Sequence, residues 1–502
     1  MSRWKSSLFW NPVSIVALLL VALGLVGSVV LAIGELASAE AEVYRSLFAW
    51  VIFPAIGWLG LLLCLGGVLR KRYQLSQASP EKYPKYFRID FSQPRTRHML
   101  LFSAVGLFVL LIWGTFTSYH AYEFTESTAF CASACHSVMQ PERVTHQISP
   151  HAAVSCSACH VGKTPTQYLA AKIYGLNELY RVATNSYERP IPTPIHALEP
   201  VRENCTGCHW EQQYWRKKHR DFSHYITAAD NQHWTLTMNV RVGGMYRLGI
   251  EGAGIHWHMK LNSKVFFIAT DEQLQNIPWV KLVTEDGEEL IYSSTDNPIA
   301  EEKLSQYEAR EMSCIDCHNR PAHQFKAPIQ AIDDAMTREL IDPSLPGIKG
   351  KGIELLVSDS YTSGDEAVNS IRSQVITFYR EEHPQIFQSQ GAAIEQAAEA
   401  LAAIYRQNFF PEMKADWRAY PDNIGHFLSD GCFRCHDGSH QTSEGKAISN
   451  DCSLCHDIVV QGPTDDLEAD PQGLPFRHPI DFGLPVIEIG KCTDCHNGML
   501  GN

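Results

Sequence analysis

Hydrophobic residues are distributed along this chain in two ways, and the change comes near residue 117. Up to that point they run in long blocks: 13–33, 47–69 and 99–116 contain no charged side chain. Each block reaches the roughly 18 apolar residues of a bilayer-spanning helix. Residues 1–120 are therefore read as a membrane domain with three transmembrane helices. Basic residues set its direction. Arg3 and Lys5 precede the first span, and Arg70, Lys71, Arg72, Lys82, Lys85, Arg88, Arg95 and Arg97 lie between the second and third. The link between the first and second holds Glu35, Glu40 and Glu42 with only Arg45. Positive flanks stay in the cytoplasm, which sends everything after the third span to the opposite side. Ala37-Ser-Ala39 has the form of a signal-peptidase site. The block before it is longer than a signal core, so a retained span is the reading; cleavage would leave two spans and the same final orientation.

Beyond residue 120 the apolar positions become periodic. Thr164-Pro-Thr-Gln167 forms a capping box with Pro at the first helical position, and Leu169, Ile173, Leu176 and Tyr180 follow at helical spacing. Trp234, Leu236, Met238, Val240 and Val242 alternate with polar residues, as on a strand. A short apolar run covers 265–268, and 279–283 and 289–292 flank Asp286-Gly287, a hairpin signal. Helices are expected at 367–379 and 392–405. The second places Ile394, Ala397, Ala398, Leu401, Ile404 and Tyr405 on one face. This divides the remainder into 121–230, a β-rich insert at 231–313, and 314–502 with a helical insert.

The cysteines change the picture. Six C-x-x-C-H motifs are present: Cys156/Cys159/His160, Cys205/Cys208/His209, Cys314/Cys317/His318, Cys432/Cys435/His436, Cys452/Cys455/His456 and Cys492/Cys495/His496. A seventh, Cys131-Ala-Ser-Ala-Cys135-His136, has one extra residue. Chance would give about 0.02 such motifs in a chain of this composition. In c-type haem attachment the two cysteines form thioethers and the histidine ligates iron. Fourteen of the fifteen cysteines are consumed, leaving Cys64 in the second apolar block as a small buried hydrophobe. Zinc ribbons also use paired C-x-x-C but need no histidine directly after, and a disulfide framework does not repeat adjacent pairs seven times. The expected fold is a multihaem cytochrome c. Its N-terminal transmembrane helices precede a haem-packed, mostly α and irregular periplasmic region with a small β-rich insert. Seven covalently attached haem c groups are expected, with much of the core supplied by haem. c-type haem is attached outside the bacterial cytoplasm, in agreement with the basic flanks.

Charge divides at the same boundary. Residues 1–98 hold 11 Lys and Arg against 5 Asp and Glu, and the rest hold 31 against 50. The acidic part suits solubility or steering of a basic partner; no nucleic-acid partner is expected.

Each iron needs a sixth ligand unless it binds substrate. Fifteen of the 22 histidines lie outside the motifs, enough for two imidazoles on most irons. His146, His151, His323, His426, His440 and His478 lie near motifs in sequence, and His151, His323, His426, His440 and His478 are taken as candidate ligands beside the seven motif histidines. His256 and His258 flank Trp257 and are expected to share one face of a strand. For each, a propionate hydrogen bond or a surface position is the plainer alternative, and which histidine meets which haem stays open. Met139 follows His136 by three residues. Methionine ligation would raise the first haem's potential; ordinary packing of Met139 is the alternative.

Residues 130–139 and the stretch from Ser149-Pro-His151 to Cys159-His160 resemble the NapC/NirT family of membrane-anchored multihaem quinol dehydrogenases. Cys314-Ile-Asp-Cys317-His318-Asn-Arg-Pro-Ala-His323 and Gly431-Cys432-Phe-Arg-Cys435-His436-Asp-Gly-Ser-His440 add to this. The core likeness covers about residues 100–210. With seven motifs and three spans, nearly the whole chain is similar to the inner-membrane heptahaem cytochromes of metal-reducing bacteria (ImcH type). The resemblance implies a quinol site: a lysine twelve residues after the second motif's histidine, here Lys172, and an acidic residue six further on, here Glu178. Without it, both are ordinary solvated side chains. Two departures stand out. Family members have C-x-x-C-H-x-M at the first haem, where both gaps here are one residue longer, and the fourth motif is displaced by the β-rich insert.

The implied activity is oxidation of quinol, with menaquinol favoured, at the periplasmic face of the inner membrane. The implied partners are the membrane quinol pool and periplasmic c-type cytochromes or an outer-membrane electron conduit. A homo- or hetero-oligomer is compatible with the sequence. Two alternatives stand beside this: a haem enzyme reducing a small nitrogen or sulfur oxyanion, and a passive electron relay without its own quinol site.

Overall fold

The computed structural model describes residues 8, 10–37, 42–78, 91–134, 138–162, 164–193, 201–209, 217–228, 230–243, 254–259, 263–358, 360–484 and 490–498. The chain divides into two compact units: 1–139 with 155–157, and 140–154 with 158–502.

The first unit is built on three long helices. Pro12–Ala37 is the first; Val43–Leu47, a π-helical turn at Phe48–Ile52 and Phe53–Ala78 make the second; Pro94–Thr125 is the third. All three are long and apolar enough to cross a membrane, with mean hydropathy of 2.9, 2.2 and 2.3. They overrun the apolar blocks because intrahelical hydrogen bonding continues into the polar flanks. Leu19, Leu62 and Phe102 are 66%, 67% and 74% exposed, as lipid-facing side chains would be. The first two helices pack through small residues. A Cβ at Gly24 would lie 2.6 Å from Gly57 Cα, and one at Gly60 would lie 2.8 Å from the Ala17 oxygen. Between apolar helices in lipid, such backbone approach supplies the attraction that hydrophobicity cannot. At one end of this pair Glu35 accepts hydrogen bonds from Ser46 Oγ and Trp50 Nε1, both 2.8 Å, and the His120 ring stacks on Trp50 at 4.4 Å. A short helix, Thr128–Ser133, follows the third span and carries Cys131; Ser127 Oγ caps it by accepting from the Phe130 amide at 3.1 Å.

The second unit contains nine described strands: β1 (Lys217–Tyr225), β2 (His233–Arg241), β3 (Lys264–Ile268), β4 (Trp279–Val283), β5 (Glu289–Ser294), β6 (Arg310–Glu311), β7 (His440–Gln441), β8 (His456–Pro463) and β9 (Glu468–Leu474). They form two antiparallel sheets, ordered β1-β2-β8-β9 and β6-β3-β4-β5-β7. Both sheets therefore cross the boundary expected at 313/314, and the first also crosses that at 230/231. β2 does not alternate strictly. Its register against β8 shifts between Thr237 and Met238, so Trp234 and Thr237 are the buried pair on that strand. The hairpin expected around Asp286-Gly287 joins β4 to β5, with Gly287 at φ +80°, a conformation glycine adopts without steric cost. Val265, Phe267, Ile277, Val280 and Tyr292 form the apolar core of this second sheet.

A helical subregion separates the fourth motif from the fifth. It contains helices Pro328–Thr337, Ile348–Leu356, Gly364–Glu382 and Gly391–Asn408. The last two contain the helices expected at 367–379 and 392–405, and all six residues assigned to the apolar face of the second are buried. Ile332, Ile353, Ile371, Val375, Tyr379 and Leu401 are 0% exposed. Burying each such side chain stabilises the fold by about 1.5–3 kcal/mol. Regular structure is thus more extensive than the sequence reading allowed: helices with a polypeptide core of their own, and two sheets rather than one small insert.

Candidate haem-attachment sites

Each attachment motif is short enough to form one helical turn. Cys156–His160, Cys314–Cys317 and Cys492–Cys495 are α-helical, while Gly431–Arg434 and Cys452–Leu454 are 3-10 turns. One turn brings residues three apart to the same side, as two thioethers on one porphyrin require. The third motif is split. Cys205 lies at the end of helix Val201–Thr206, but Cys208 lies beyond it in a turn, where its amide donates to the Cys205 oxygen at 3.1 Å. Cys159, Cys208, Cys317, Cys432, Cys452 and Cys495 are exposed on the polypeptide, one from each of the six pairs described in full.

In four motifs the histidine amide closes the turn by donating to the first cysteine's carbonyl: His209 to Cys205 at 2.8 Å, His318 to Cys314 at 2.8 Å, His436 to Cys432 at 3.0 Å and His496 to Cys492 at 2.7 Å. Acidic residues brace two of the turns. Asp316 accepts from the Ser313 amide at 2.6 Å and pairs with Arg310 at 2.8 Å, and Asp494 accepts from the Lys491 amide at 2.8 Å.

Every described motif histidine faces a second histidine. The ring centroids are 6.4 Å apart for His160 and His323, 5.9 Å for His209 and His151, and 6.2 Å for His318 and His256. They are 5.7 Å apart for His436 and His258, 6.2 Å for His456 and His426, and 6.0 Å for His496 and His478. A metal–imidazole bond of about 2 Å and a ring radius of about 1 Å put two imidazoles trans on one iron about 6 Å apart, centre to centre. Nδ1 of four of these partners is tied to a backbone carbonyl: His151 to Pro321 at 2.9 Å, His323 to Glu142 at 3.0 Å, His256 to Val242 at 3.0 Å and His258 to Ile255 at 3.1 Å. That bond fixes the tautomer whose Nε2 is the metal-binding nitrogen. Burial favours the neutral imidazole, the form that binds iron, at eight of the twelve facing rings. It holds His160, His256, His258, His318, His426, His456 and His496 below the usual histidine range and takes His323 to about 4.

Two other histidines differ. His146 also lies 6.0 Å from His323, but its Nε2 is engaged with the Val154 oxygen at 3.0 Å. His440 is 1% exposed, with Nδ1 2.9 Å from Asp437 and Nε2 2.7 Å from the Ile277 oxygen. Two acceptors call for two N–H donors, so His440 is a bound imidazolium with no lone pair for iron. Among the candidate ligands it is the one whose two ring nitrogens are both engaged by protein oxygens. His256 and His258 correct an expectation. They lie in a 3-10 turn, Ile255–Met259, and not on a strand.

From the third motif to the seventh, neighbouring motifs are joined by direct contacts. Helix Val201–Thr206 of the third packs on Cys314–Cys317 of the fourth. Arg434 of the fifth donates to the Asp316 oxygen of the fourth at 2.7 Å. Nδ1 of His436 lies 2.7 Å from the Ser449 oxygen, just before the sixth. Cys492 Sγ of the seventh is 3.8 Å from Nδ1 of His426, which faces the sixth. Among the described residues no three His, Cys, Asp or Glu side chains converge as a bare-ion site needs. His456 Nδ1 is buried without a protein partner. Facing imidazoles and closely spaced cysteine pairs fit covalently bound haem. Cys135 and His136 of the first motif lie outside the described residues; Met139 is half-buried.

Lys172 and Glu178 lie on the helix Pro165–Ala183, which begins with the expected Thr164/Gln167 capping box. At about 100° per residue their side chains leave the helix about 120° apart. Lys172 Nζ lies 5.0 Å over the Tyr168 ring, and Glu178 is hydrogen-bonded to the Tyr174 phenol. Burial, then the Glu178 carboxylate, push that phenol up. Glu178 Oε1 is enclosed with no hydrogen-bond partner. Leu169, Ile173, Leu176, Leu179 and Tyr180 on the same helix are all more than half exposed.

Residues 93–192 match the family model described as the NapC/NirT cytochrome c family, N-terminal region. The chain is 38% identical over 499 residues to the cytochrome c-type protein ImcH of Geobacter sulfurreducens, covering 98% of this chain and 96% of that one. It is 34% identical over 88 residues to the cytochrome c nitrite reductase subunit NrfH of Nitratidesulfovibrio vulgaris, covering 17% of this chain and 54% of that one. No solved structure matches.

Proposed function

The chain belongs to the ImcH-like, membrane-anchored multihaem cytochromes c of the NapC/NirT family, and from that premise we propose that it oxidises a quinol at the periplasmic face of the inner membrane. Its electrons then leave through seven haems to periplasmic cytochromes or an outer-membrane conduit. The observation that carries this reading is the second histidine facing each described motif histidine. An iron with two imidazoles has no open position for an oxyanion, so such sites carry electrons and not substrate. Bound haem supplies a one-electron iron couple; the chain's residues set its ligands, burial and spacing. Menaquinol is the favoured donor.

Oxidation of a quinol releases two electrons and two protons. The exposed apolar side chains of Pro165–Ala183 suit contact with a lipid-soluble substrate. Lys172 offers an ammonium to the headgroup, and the enclosed, unpartnered Glu178 Oε1 offers a proton acceptor. The basic stretch between the second and third spans supports a cytoplasmic link there and a periplasmic haem region.

The test mixes the oxidised, detergent-solubilised protein with a menaquinol analogue under anaerobic conditions and follows the haem α-band by stopped flow. The expected result is rapid reduction of the parent and at least about tenfold slower reduction of Lys172→Ala, with dithionite reducing both fully. A parent reduced by dithionite but inert to quinol would leave a relay fed by another subunit.

A further inference from the structure

The Ile255–Met259 turn lies in a stretch that has no attachment motif, yet both its histidines face motif histidines from elsewhere. The His256 ring is 6.2 Å from His318 with the planes 15° apart, and the His258 ring is 5.7 Å from His436 with the planes 89° apart. The geometry of the turn explains how. A 3-10 helix advances about 120° per residue, so side chains two positions apart leave in different directions. On a strand the same two histidines would share one face. Here one iron cannot take both rings, but two irons can each take one.

The surroundings hold the turn in place. Nδ1 of His256 is fixed by the Val242 oxygen at 3.0 Å and that of His258 by the Ile255 oxygen at 3.1 Å. Trp257, between them, packs on the second sheet's core, where Cys435 of the fifth motif also packs. Gly254 leads into the turn at φ +102°, and a Cβ there would lie 2.3 Å from the Arg241 oxygen. The two motifs served are themselves tied by Arg434 donating to the Asp316 oxygen at 2.7 Å.

We infer that this turn donates ligands to two haems at once: His256 to the iron held by Cys314, Cys317 and His318, and His258 to the iron held by Cys432, Cys435 and His436. The β-rich segment without a motif then works as a ligand donor that fixes two neighbouring irons through three consecutive residues, whose outer Cα atoms are at most about 7 Å apart. The inference rests on both motifs carrying haem. It does not depend on quinol being the electron donor.

The experiment uses the full-length protein with His256→Ala, His258→Ala, the double variant and, as a control, His440→Leu. Haem content is measured by pyridine haemochrome, and dithionite-reduced samples are titrated with carbon monoxide, which binds only an iron with an open position. The parent and His440→Leu are expected to bind the same amount, which sets the baseline of the first haem. Each single variant is expected to bind one equivalent more than the parent and show one additional high-spin ferric signal, and the double variant two more, with haem content unchanged. Added imidazole should restore the low-spin spectrum of each single variant, which a misfolded protein would not do. Single variants that add no high-spin signal and bind no more carbon monoxide than the parent overturn the inference. One that opens both irons overturns the one-to-one assignment.

Discussion

Lys349 is 1% exposed and is held by Asp333, itself 5% exposed, at 2.5 Å, with the Tyr225 carbonyl as second acceptor. Burial pulls the Lys349 ammonium below its usual range, and Asp333 opposes that pull. Asp333 also accepts from the Tyr225 amide at 3.2 Å and lies 3.3 Å from His224. Removing one partner of such a pair strands the other charge and costs about 3–5 kcal/mol. Lys349→Met is therefore expected to lower thermal stability, read by circular dichroism, and Lys349→Met with Asp333→Leu to recover much of the loss. The His440–Asp437 pair carries a pH signature. Burial is the largest single influence and works against charge on both, but it is outweighed by several bonds together: Asp437 and the Ile277 carbonyl raise His440, and His440 and Ser439 lower Asp437 to about 2. A raised histidine stabilises fully below its unfolded pKa of about 6.5 and loses that stabilisation as pH rises through its folded value; a lowered aspartate stabilises above about 3.8 and loses it toward about 2. The pair thus stabilises most between about pH 4 and 6.5. Thermal stability of His440→Leu is expected to fall furthest below the parent in that window, by about 1–3 kcal/mol, with a smaller gap above it. The pairing of these side chains was not legible in the sequence, because what buries and completes each pair comes from distant segments: the Ile277 carbonyl for His440 and the Tyr225 carbonyl for Lys349.

At the level of elements, local pattern served well where one signal acted alone. The capping box at Thr164 and the helical face from Ile394 to Tyr405 form as expected, since both depend on residues within a few turns. Pattern served poorly where pairing intervened. β2 reads as a strict alternation, but its bulge against β8 is set by a strand more than two hundred residues later. His-Trp-His at 256–258 reads as strand and folds as a 3-10 turn, because Gly254 admits a positive φ and Trp257 anchors in the sheet's core. In the membrane unit the close glycine contacts give a paired test. Gly24→Leu would place its side chain against the Gly57 backbone, whereas Gly34 and Gly66 have nothing within 4 Å of an added Cβ. Gly24→Leu is expected to reduce the yield and detergent-phase thermal stability of the folded protein. Gly34→Leu and Gly66→Leu are expected to leave both near the parent values.

For the whole molecule, the sequence by itself determined three apolar spans, seven attachment motifs and the family. Each depends on contiguous residues: an unbroken apolar length sets membrane insertion, and one short turn sets a pair of thioethers and a histidine. Tertiary structure decided what faces each motif. Six of the facing histidines come from before, after or far from the motifs they meet, and one near in sequence, His440, is bound elsewhere. A ligand lone pair depends on what engages the other ring nitrogen, which the fold supplies through backbone carbonyls. Tertiary structure likewise decided that the segment without a motif shares its sheets with the C-terminal region, because strands are completed by partners and not by neighbours in sequence. The sequence thus set which residues can attach haem, and the fold set which imidazoles stand opposite one another.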